Sequence, residues 1–371
     1  MKPLTCLVLI LFISFHGLCQ EESCGTTYEP DPYFDVKVYN EFKEKFFRNY
    51  GLRNQAVTYL PLRINIIRHD DQSGGFDPSL VAETLDTANA RYLDMGIQFE
   101  LCGSIRYIDR DILYDFDRAL YLDTLVSYNE SGVINVYYIN KVLSGDSQIC
   151  GFASFPWYDQ EYVVLKNSCA INGSTLAHEL GHYFGIYHTH TTINGTELAD
   201  GSNCVFAGDE FCDTPADPRL GISSVNSDCE YTGQGRDANG DRYEPDPKNI
   251  MSYSRKECRT YFSPEQSSRM KFYQETQRDH LISCAVTSNK VVDPSVLEIF
   301  PNPVYNKLNL KIEIPYTVEG ISLYTLDGRL QTVFMGNDQP QQLQVDHLNP
   351  GIYLLSIMTD AGIINKRFIK R

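Results

Sequence analysis

The sequence lacks an excess of basic residues, internal repeats and a membrane-spanning apolar run, features typical of nucleic-acid-binding, repeat and membrane proteins. Acidic residues outnumber basic ones by 48 to 32, so the net charge is −16 at pH 7 and there is no excess of basic side chains to bind nucleic acid. There are no internal repeats or low-complexity tracts, and the one long apolar run, at residues 7–13, is too short to span a bilayer. We therefore expect no nucleic-acid partner and no transmembrane segment.

The first residues are typical of a cleaved secretory signal. Lys2 precedes the apolar run, and small or polar residues follow it. We predict a signal peptide over residues 1–19 and a mature protein that is secreted, either extracellular or attached to the cell surface. A lipid anchor on Cys19 is a weaker interpretation, because Leu18 stands where a small residue would be expected before a lipidated cysteine.

The chain has eleven cysteines, and nine remain once Cys6 and Cys19 leave with the signal. An odd number in an exported protein indicates one thiol with a special role, and Cys24 is the candidate. The other eight suffice for four disulfides. They are Cys102, Cys150, Cys169, Cys204, Cys212, Cys229, Cys258 and Cys284.

Histidine is scarce, with eight residues in the chain, yet three of them fall in one short run with the spacing H-E-x-x-H-x-x-G-x-x-H. On a helix, His178 and His182 lie one turn apart on the same face and can bind one zinc ion. Gly185 can adopt the left-handed conformation that ends a helix, so that His188 returns as the third ligand. The run therefore predicts a metal site with one open position.

The run favours a catalytic zinc ion over a structural one. Structural sites usually fill all four positions with Cys or His, whereas three histidines leave one position for water. Glu179 follows the first ligand and points away from the ligand set, close enough to act as general base on that water. The sequence indicates a hydrolase with one catalytic zinc ion.

Changes of periodicity divide the rest of the chain. Residues 20–54 contain an amphipathic helix and resemble a short pro-segment. Residues 55–285 open with a strand, a helix over 78–95 and a strand at 97–101, as an α/β layer does, and later become Gly-, Asp- and Cys-rich. Ser263 as N-cap and Pro264 at the first helical position then predict a helix that runs to about Leu281. A polar linker is expected at 286–295, and residues 296–371 have the short alternating strands of a small β-sandwich, with a turn at 326–328.

The zinc run, followed by residues 249–253, resembles a metzincin metalloprotease with its Met-turn. Residues 152–156, 213–215 and 262–270 resemble the pappalysin branch, including the ulilysin type. The resemblance covers about residues 24–284. It implies a secreted zinc endopeptidase acting on proteins or peptides, built on a mixed, mostly parallel twisted sheet with active-site and backing helices and an irregular, disulfide-rich C-terminal subdomain.

The resemblance also implies roles for individual residues. Met251 would lie beneath the metal as an apolar floor, although alone it could be an ordinary core methionine. Tyr253 stands where several metzincins carry a tyrosine that ligates zinc at rest or stabilises the oxyanion; packing is the alternative. A substrate would lie antiparallel along an edge strand near residues 153–155.

Glu257 stands where some pappalysins place an acidic group at the floor of the specificity pocket. That group would favour Arg or Lys immediately after the scissile bond. Arg255 and Lys256 complicate the expectation, because they would neutralise such a pocket.

Cys24-Gly25-Thr26 resembles the cysteine switch of pappalysin pro-segments, in which a thiolate fills the fourth zinc position until the pro-segment is removed. The protein would then be made as a zymogen. A disulfide from Cys24 to Cys284 or Cys102 is the alternative. By the same resemblance we expect disulfides Cys204–Cys229 and Cys212–Cys258, which leaves Cys150–Cys169 and Cys102–Cys284 by elimination.

Two oxygen-rich clusters are candidate structural calcium sites, since pappalysin-like enzymes often bind calcium in the segment after the zinc helix. The members are Asp209, Asp213 and Thr214 in the first cluster and Asp237, Asn239 and Asp241 in the second. A solvated acidic loop is an equal alternative for the second.

The C-terminal segment, from the Pro-Asn-Pro at 301–303 to the basic end at 366–371, resembles a type IX secretion sorting domain of immunoglobulin-like fold. The outer-membrane secretion machinery would then be a binding partner of this domain. An ordinary immunoglobulin-like binding module is the alternative. For the whole protein, the alternative to a protease is an exported binding or adhesion protein on an inactive metalloprotease fold.

Overall fold

The computed structural model describes residues 23–27, 29–50, 57–281, 296–312, 318–325, 330–334, 342–359 and 362–371. The expected signal peptide, Cys284, the linker and the turn at 326–328 lie outside these ranges. None of the helices in the described ranges is long and apolar enough to cross a membrane.

Within the described ranges, the N-terminal unit contains nine strands and seven α-helices. The strands are β1 (Ser23–Cys24), β2 (Thr58–Arg68), β3 (Ile97–Leu101), β4 (Arg106–Asp109), β5 (Asp115–Asp117), β6 (Ile134–Ile139), β7 (Lys141–Ser144), β8 (Ser147–Ala153) and β9 (Val163–Lys166). The helices are α1 (Val36–Asn49), α2 (Val81–Tyr92), α3 (Asp111–Tyr114), α4 (Arg118–Val126), α5 (Asn167–Ala170), α6 (Thr175–Tyr183) and α7 (Pro264–Thr276).

These nine strands form one mixed sheet with the order β3-β2-β6-β9-β8-β7-β5, to which β4 and β1 add by pairing with β2 and β8. All pairs are parallel except β7 with β8 and β8 with β9. Every residue of β6 is buried, as expected for a central strand covered on both faces. The mixed, mostly parallel sheet with helices is therefore confirmed.

Strand β8 has one side available to an added strand. On its inner side Phe152 and Ala153 pair with β9, and on its outer side only the first two residues pair with β7. Further along that outer side lies β1, with Cys24 in register with Gly151. The amide of Gly25 donates to the Gly151 carbonyl at 2.8 Å. The N-terminal segment thus occupies the edge near residues 153–155 that the sequence assigns to substrate.

Helix α7 begins as its sequence predicts. The Ser263 hydroxyl accepts a hydrogen bond from the Gln266 amide, while the Gln266 side chain accepts one from the Ser263 amide, and Pro264 occupies the first turn. The helix ends at Thr276, earlier than the predicted end near Leu281. Nine of its thirteen residues are buried, because α7 lies between the rest of the unit and α1.

No helix or strand forms between Tyr183 and Pro264, a segment that lies wholly within the described residues. Two disulfides cross-link it, Cys204–Cys212 and Cys229–Cys258, with Cα atoms 5.1 and 5.5 Å apart. The expected pairs Cys204–Cys229 and Cys212–Cys258 are therefore wrong. The chain folds back within the loop 204–212, which brings these two Cα atoms inside the 4.4–6.8 Å that a disulfide needs.

The remaining cysteines follow the expectation as far as they are described. Cys150 at the middle of β8 is bonded to Cys169 of α5, with Cα atoms 5.5 Å apart. Cys102 is also disulfide-bonded, and its expected partner Cys284 lies outside the described residues. Cys24 is a free thiol, which is contrary to the alternative of a disulfide.

The C-terminal unit is all-β. Its strands are β10 (Leu297–Phe300), β11 (Lys307–Ile312), β12 (Val318–Thr325), β13 (Leu330–Phe334), β14 (Gln342–Gln344), β15 (Gly351–Thr359) and β16 (Gly362–Lys370). They form an antiparallel sheet of order β10-β11-β14 and a second of order β13-β12-β15-β16. Both sheets contribute to one buried cluster, with Leu308 and Leu343 from the first and Leu323 and Phe368 from the second.

Candidate metal centre

Helix α6 carries the first two predicted metal ligands and is buried along its whole length. Ahead of it, the Asn172 carboxamide oxygen accepts hydrogen bonds from the amides of Ser174 and Thr175, which fixes the start of the helix. His178 and His182 lie one turn apart on the face of α6 that points toward His188. After the helix, Gly185 has φ +84°, and the chain turns back.

This turn brings the third histidine to the other two. The Nε2 atom of His188 lies 3.0 Å from Nε2 of His178 and 3.0 Å from Nε2 of His182. Ligands of a tetrahedral zinc ion at 2.0–2.1 Å lie about 3.3 Å apart, so both distances from His188 are close to the required separation. The predicted ligand set is therefore brought to one point.

Backbone carbonyls fix the orientation of two rings. Nδ1 of His178 donates to the Ile250 carbonyl at 2.7 Å, and Nδ1 of His182 donates to the Ile186 carbonyl at 2.7 Å. This tautomer leaves Nε2 as the lone-pair atom that a metal requires. Burial lowers the pKa of His182 to about 3 and holds those of His178 and His188 well below the ordinary value, so the rings are neutral at pH 7. The donor set fits zinc.

Met251 forms a floor beside the zinc helix. It is fully buried, and a Cβ atom at Gly181 would lie 2.6 Å from its sulfur, so the helix and the turn approach as closely as glycine allows. The Asn249 side chain accepts from the Met251 amide at 2.9 Å and donates to Gln266 of α7 at 2.9 Å. The Met-turn is thereby tied to the backing helix.

Glu179 lies where the sequence predicts the general base, next to the ligand set and inside the protein. It is 1% exposed, and a Cβ atom at Gly151 of β8 would lie 2.9 Å from its carboxylate. Burial raises the pKa of Glu179 to about 8, opposed by hydrogen bonds from Cys24 and Thr26. A carboxyl group with a pKa near neutrality can both accept and return a proton.

Cys24 completes a group of four potential ligands with the three histidines, whose ligating atoms all lie within 4.8 Å of one another. Within the described ranges this is the one set of three or more His, Cys, Asp or Glu side chains close enough to share a metal ion. The Cys24 thiol also lies 3.4 Å from Glu179 Oε2. Burial raises the pKa of the thiol well above its ordinary value, so a thiolate here needs a cation beside it.

Tyr253 contacts the N-terminal segment at the same place. Its hydroxyl donates to the carbonyl oxygen of Cys24 at 2.8 Å, and its ring lies 4.5 Å from the ring of His188. Burial raises its pKa, so the hydroxyl keeps its proton and remains a donor. Tyr253 is therefore placed to donate to an oxygen beside the metal centre.

Sequence reasoning missed His190 and Arg118, and it named Thr26 in the switch motif without giving it a role. His190 stacks on His188 with centroids 4.9 Å apart and an interplanar angle of 10°. The Thr26 hydroxyl donates to Glu179 Oε2 at 3.4 Å, and the Ala153 amide donates to the Thr26 hydroxyl at 3.0 Å. Arg118 donates to the Gly25 carbonyl and to the Thr27 hydroxyl. Only His190, two residues after a ligand, had a signal in the spacing.

The carboxylates of the first predicted calcium cluster have different hydrogen-bond partners. The Thr214 hydroxyl donates to the buried Asp209 carboxylate at 2.9 Å. Asp213 instead accepts from the Ser263 hydroxyl at 2.7 Å and the Glu265 amide at 2.8 Å, at the start of α7. Calcium binding by Asp209, Asp213 and Thr214 therefore stays a prediction.

In the second cluster, one carboxylate is already occupied by backbone amides. Asp237 accepts from the amides of Ala199, Asn239 and Asp241, each at 2.9 Å. These bonds lower the pKa of Asp237. The cluster is a tight turn closed by Asp237, and calcium binding there stays a prediction.

Glu257 lies at the surface. Its side chain is 65% exposed and forms an ion pair of 3.5 Å with Arg255. The neutralisation anticipated from the sequence is thus present for Arg255, whereas Lys256 lies beside the Cys150–Cys169 disulfide. A role of Glu257 in specificity stays a prediction.

Comparison with known proteins decides the family. Residues 124–274 match a peptidase family described as pregnancy-associated plasma protein-A, and residues 298–371 match a secretion system C-terminal sorting domain. These residues, 124–274, belong to the pappalysin-type metalloproteases. The protein is a zinc metalloendopeptidase acting on peptide bonds, and its sorting domain indicates secretion or attachment to the cell surface through the secretion machinery.

Curated relatives of this protein include extracellular metalloproteases of fungi. One from Colletotrichum graminicola is 27% identical over 277 residues, which cover 68% of this chain and 90% of the relative. One from Pyricularia oryzae is 28% identical, covering 53% and 68%, and one from Sordaria macrospora is 26% identical, covering 69% and 89%. The similarity thus extends over most of each relative.

Proposed function

We propose that this protein is a secreted zinc endopeptidase, made as a zymogen, in which Glu179 is the general base. The observation that carries the proposal is the convergence of three histidine Nε2 atoms and one thiol on a single point, with the Glu179 carboxylate beside it. The runner-up, a binding or adhesion protein on an inactive fold, has no comparable support, because each residue needed for hydrolysis is present.

The three histidines would hold zinc, which when bound acts as a Lewis acid on the scissile carbonyl and lowers the pKa of water at the open position to about 7. Glu179 would take one proton from the attacking water as the water oxygen bonds to the carbonyl carbon. It then delivers the proton to the leaving amine nitrogen as the C–N bond breaks. The buried setting, which raises the pKa of Glu179, suits both transfers.

Tyr253 and β8 would position the substrate. Once the N-terminal segment leaves, the Tyr253 hydroxyl loses its acceptor on Cys24 and can donate to the oxygen that becomes negative during attack. The outer side of β8 is then free to pair with a substrate strand, which we propose runs antiparallel to it. The N-terminal segment runs parallel to β8, which is opposite to the direction proposed for a substrate. It therefore does not present a peptide bond in the orientation needed for cleavage.

Latency follows from Cys24. As a thiolate it would occupy the fourth metal position, and it already lies within hydrogen-bond reach of the Glu179 carboxylate. Residues 20–54 are then the pro-segment, residues 55–285 the protease and residues 296–371 the sorting domain. We propose an immunoglobulin-like topology for the last of these, supported by its two antiparallel sheets around one core.

A structural calcium ion near Asp209 is a further part of the proposal. Asp209 and Glu197 are 1% and 6% exposed. Burial and the neighbouring Glu197 raise the pKa of Asp209, and burial raises that of Glu197 to about 7. A divalent cation beside them would favour the ionised carboxylates. Loss of thermal stability in a calcium chelator that leaves zinc bound supports this site, and unchanged stability removes it.

The test of the proposed function compares Glu179→Ala with the wild type on casein or gelatin, with and without added zinc. We expect the processed wild type to hydrolyse both proteins in a zinc-dependent way. Loss of the general base should lower the rate by about 10²–10⁴-fold while zinc stays bound. A wild type without zinc-dependent hydrolysis would favour the binding protein instead.

A further inference from the structure

The pro-segment contacts the protease at a second place, on α7. The aromatic residues Phe34, Tyr39 and Phe42 surround Phe272, with ring centroids 6.2, 5.4 and 5.5 Å from that of Phe272. Tyr39 is 5% exposed and Phe272 is 6% exposed. We call Phe34, Tyr39 and Phe42 the aromatic anchor.

The aromatic anchor also covers a buried cation. Arg269 of α7 is 6% exposed, and its guanidinium carbon lies 4.2 Å from the ring centre of Phe34 and 4.5 Å from that of Tyr39. Its partners within the protease include Phe211 at 5.1 Å and Glu210 at 3.6 Å. If the anchor left, the buried Arg269 guanidinium would lose its contacts with the rings of Phe34 and Tyr39, which costs free energy.

Polar contacts flank the anchor. The Asp31 carboxylate accepts hydrogen bonds from the Tyr273 hydroxyl at 2.8 Å and from the Gln277 side chain at 3.3 Å. Lys43 of α1 forms an ion pair with Glu265 of α7. The pro-segment is therefore held along α7 by apolar, cation–π and hydrogen-bonded contacts that do not involve the metal centre.

A cut in residues 51–56, at the expected end of the pro-segment, would leave both attachments in place. Residues 23–27 would keep their contacts with β8, Arg118 and Tyr253, while residues 31–46 would keep theirs with α7. Between the two attachments, the described residues Glu29 and Pro30 are exposed. The cut severs the covalent link without breaking either set of contacts.

We propose that the aromatic anchor on α7 retains the pro-segment after this cut and keeps Cys24 in the metal centre, so that one cut does not activate the enzyme. The inhibitor is thus a noncovalent partner of the protease, and activation requires a second event that removes it, such as a cut at the exposed residues Glu29 and Pro30. This inference rests on the proposed zymogen function.

The test uses the full chain with residues 51–56 replaced by the recognition sequence of a specific protease. Two pro-segment variants are compared, Phe34→Ala with Tyr39→Ala, and the control Val36→Ala with Val38→Ala, whose side chains are 59% and 50% exposed. Neither pair changes the enzyme from residue 57 onward. After the cut, native size-exclusion chromatography, alkylation of Cys24 by iodoacetamide and peptide hydrolysis are measured.

In the wild type and the control we expect the fragment to co-elute with the enzyme, Cys24 to resist alkylation, and activity to stay below about one-tenth of that reached after the fragment is removed. In the Phe34→Ala, Tyr39→Ala variant we expect the fragment to separate, Cys24 to react and activity to rise at least about tenfold. Release of the wild-type fragment on cutting, or identical behaviour of anchor and control variants, would overturn the proposal.

Co-elution and alkylation do not depend on hydrolysis. If both follow the expectation while no processed form cleaves any peptide, the anchor is supported and the proposed protease function has failed. If the wild-type fragment co-elutes but the enzyme is fully active, the anchor does not hold Cys24 in place and the inference is wrong.

Discussion

At the scale of single residues, the metal ligands could be predicted because a helix fixes which positions share a face. The spacing of His178 and His182 determines their common direction, and Gly185 determines the reversal that returns His188. Thr26 and Arg118 could not be found this way. They reach the site from other elements, and their role depends on how the N-terminal segment lies on β8.

Cys24→Ala should abolish latency, because alanine offers no ligand for the fourth metal position. We expect the purified proform to shorten by autolysis, observed as loss of full-length chain on gels over time. The double variant Cys24→Ala, Glu179→Ala should stay intact, since it lacks the general base. A Cys24→Ala proform that remains fully latent would rule out the switch.

At the scale of elements, long periodic segments were predictable and short ones were not. The predicted strand at 97–101 has the bounds of β3, and the capping residues of α7 were correct. Strands β4, β5 and β7 have four, three and four residues, too few to establish a period. Helix propensity also gave no indication that α7 ends at Thr276 and not near Leu281.

The turn after the zinc helix is the element most sensitive to substitution. At Gly185, φ is +84° and an added Cβ would lie 2.4 Å from the Tyr273 ring. Gly185→Ala should lower stability by about 1–3 kcal/mol through overpacking, in addition to about 1–2 kcal/mol for the left-handed backbone, and should weaken zinc binding by displacing His188.

Gly201→Ala is the matched control, because Gly201 has φ +69° and open space around its Cβ position. It should show only the backbone effect in thermal denaturation and should retain zinc, as measured by metal content after dialysis. Equal losses in the two variants would show that the contact with Tyr273 is unimportant.

At the scale of the whole molecule, the disulfide pattern was the part least accessible to sequence. Cysteine spacing does not say which pairs meet when a segment has no helix or strand, and the segment from Tyr183 to Pro264 has neither. The pairing by resemblance failed there, whereas Cys150–Cys169 links two regular elements, β8 and α5. The docking of α1 on α7 was equally invisible, since it joins distant parts of the chain.

The two disulfides of the irregular segment should differ in their contribution to stability. Their sequence separations are 8 for Cys204–Cys212 and 29 for Cys229–Cys258. Chain-entropy arguments give about 2.5 and about 3.6 kcal/mol respectively. Serine replacement of each pair in a Glu179→Ala background, followed by denaturant unfolding, should destabilise the second variant more. The reverse order would contradict the entropic account, and peptide mapping would check the pairing directly.

The central claim is that one zinc ion is bound by His178, His182 and His188 and is capped by Cys24 until the pro-segment leaves. X-ray absorption at the zinc edge of the proform and the processed enzyme tests it most directly. We predict one sulfur at about 2.3 Å with three nitrogens at about 2.0–2.1 Å in the proform, and loss of the sulfur on processing. A proform shell of nitrogen and oxygen alone, unchanged by processing, would contradict the account.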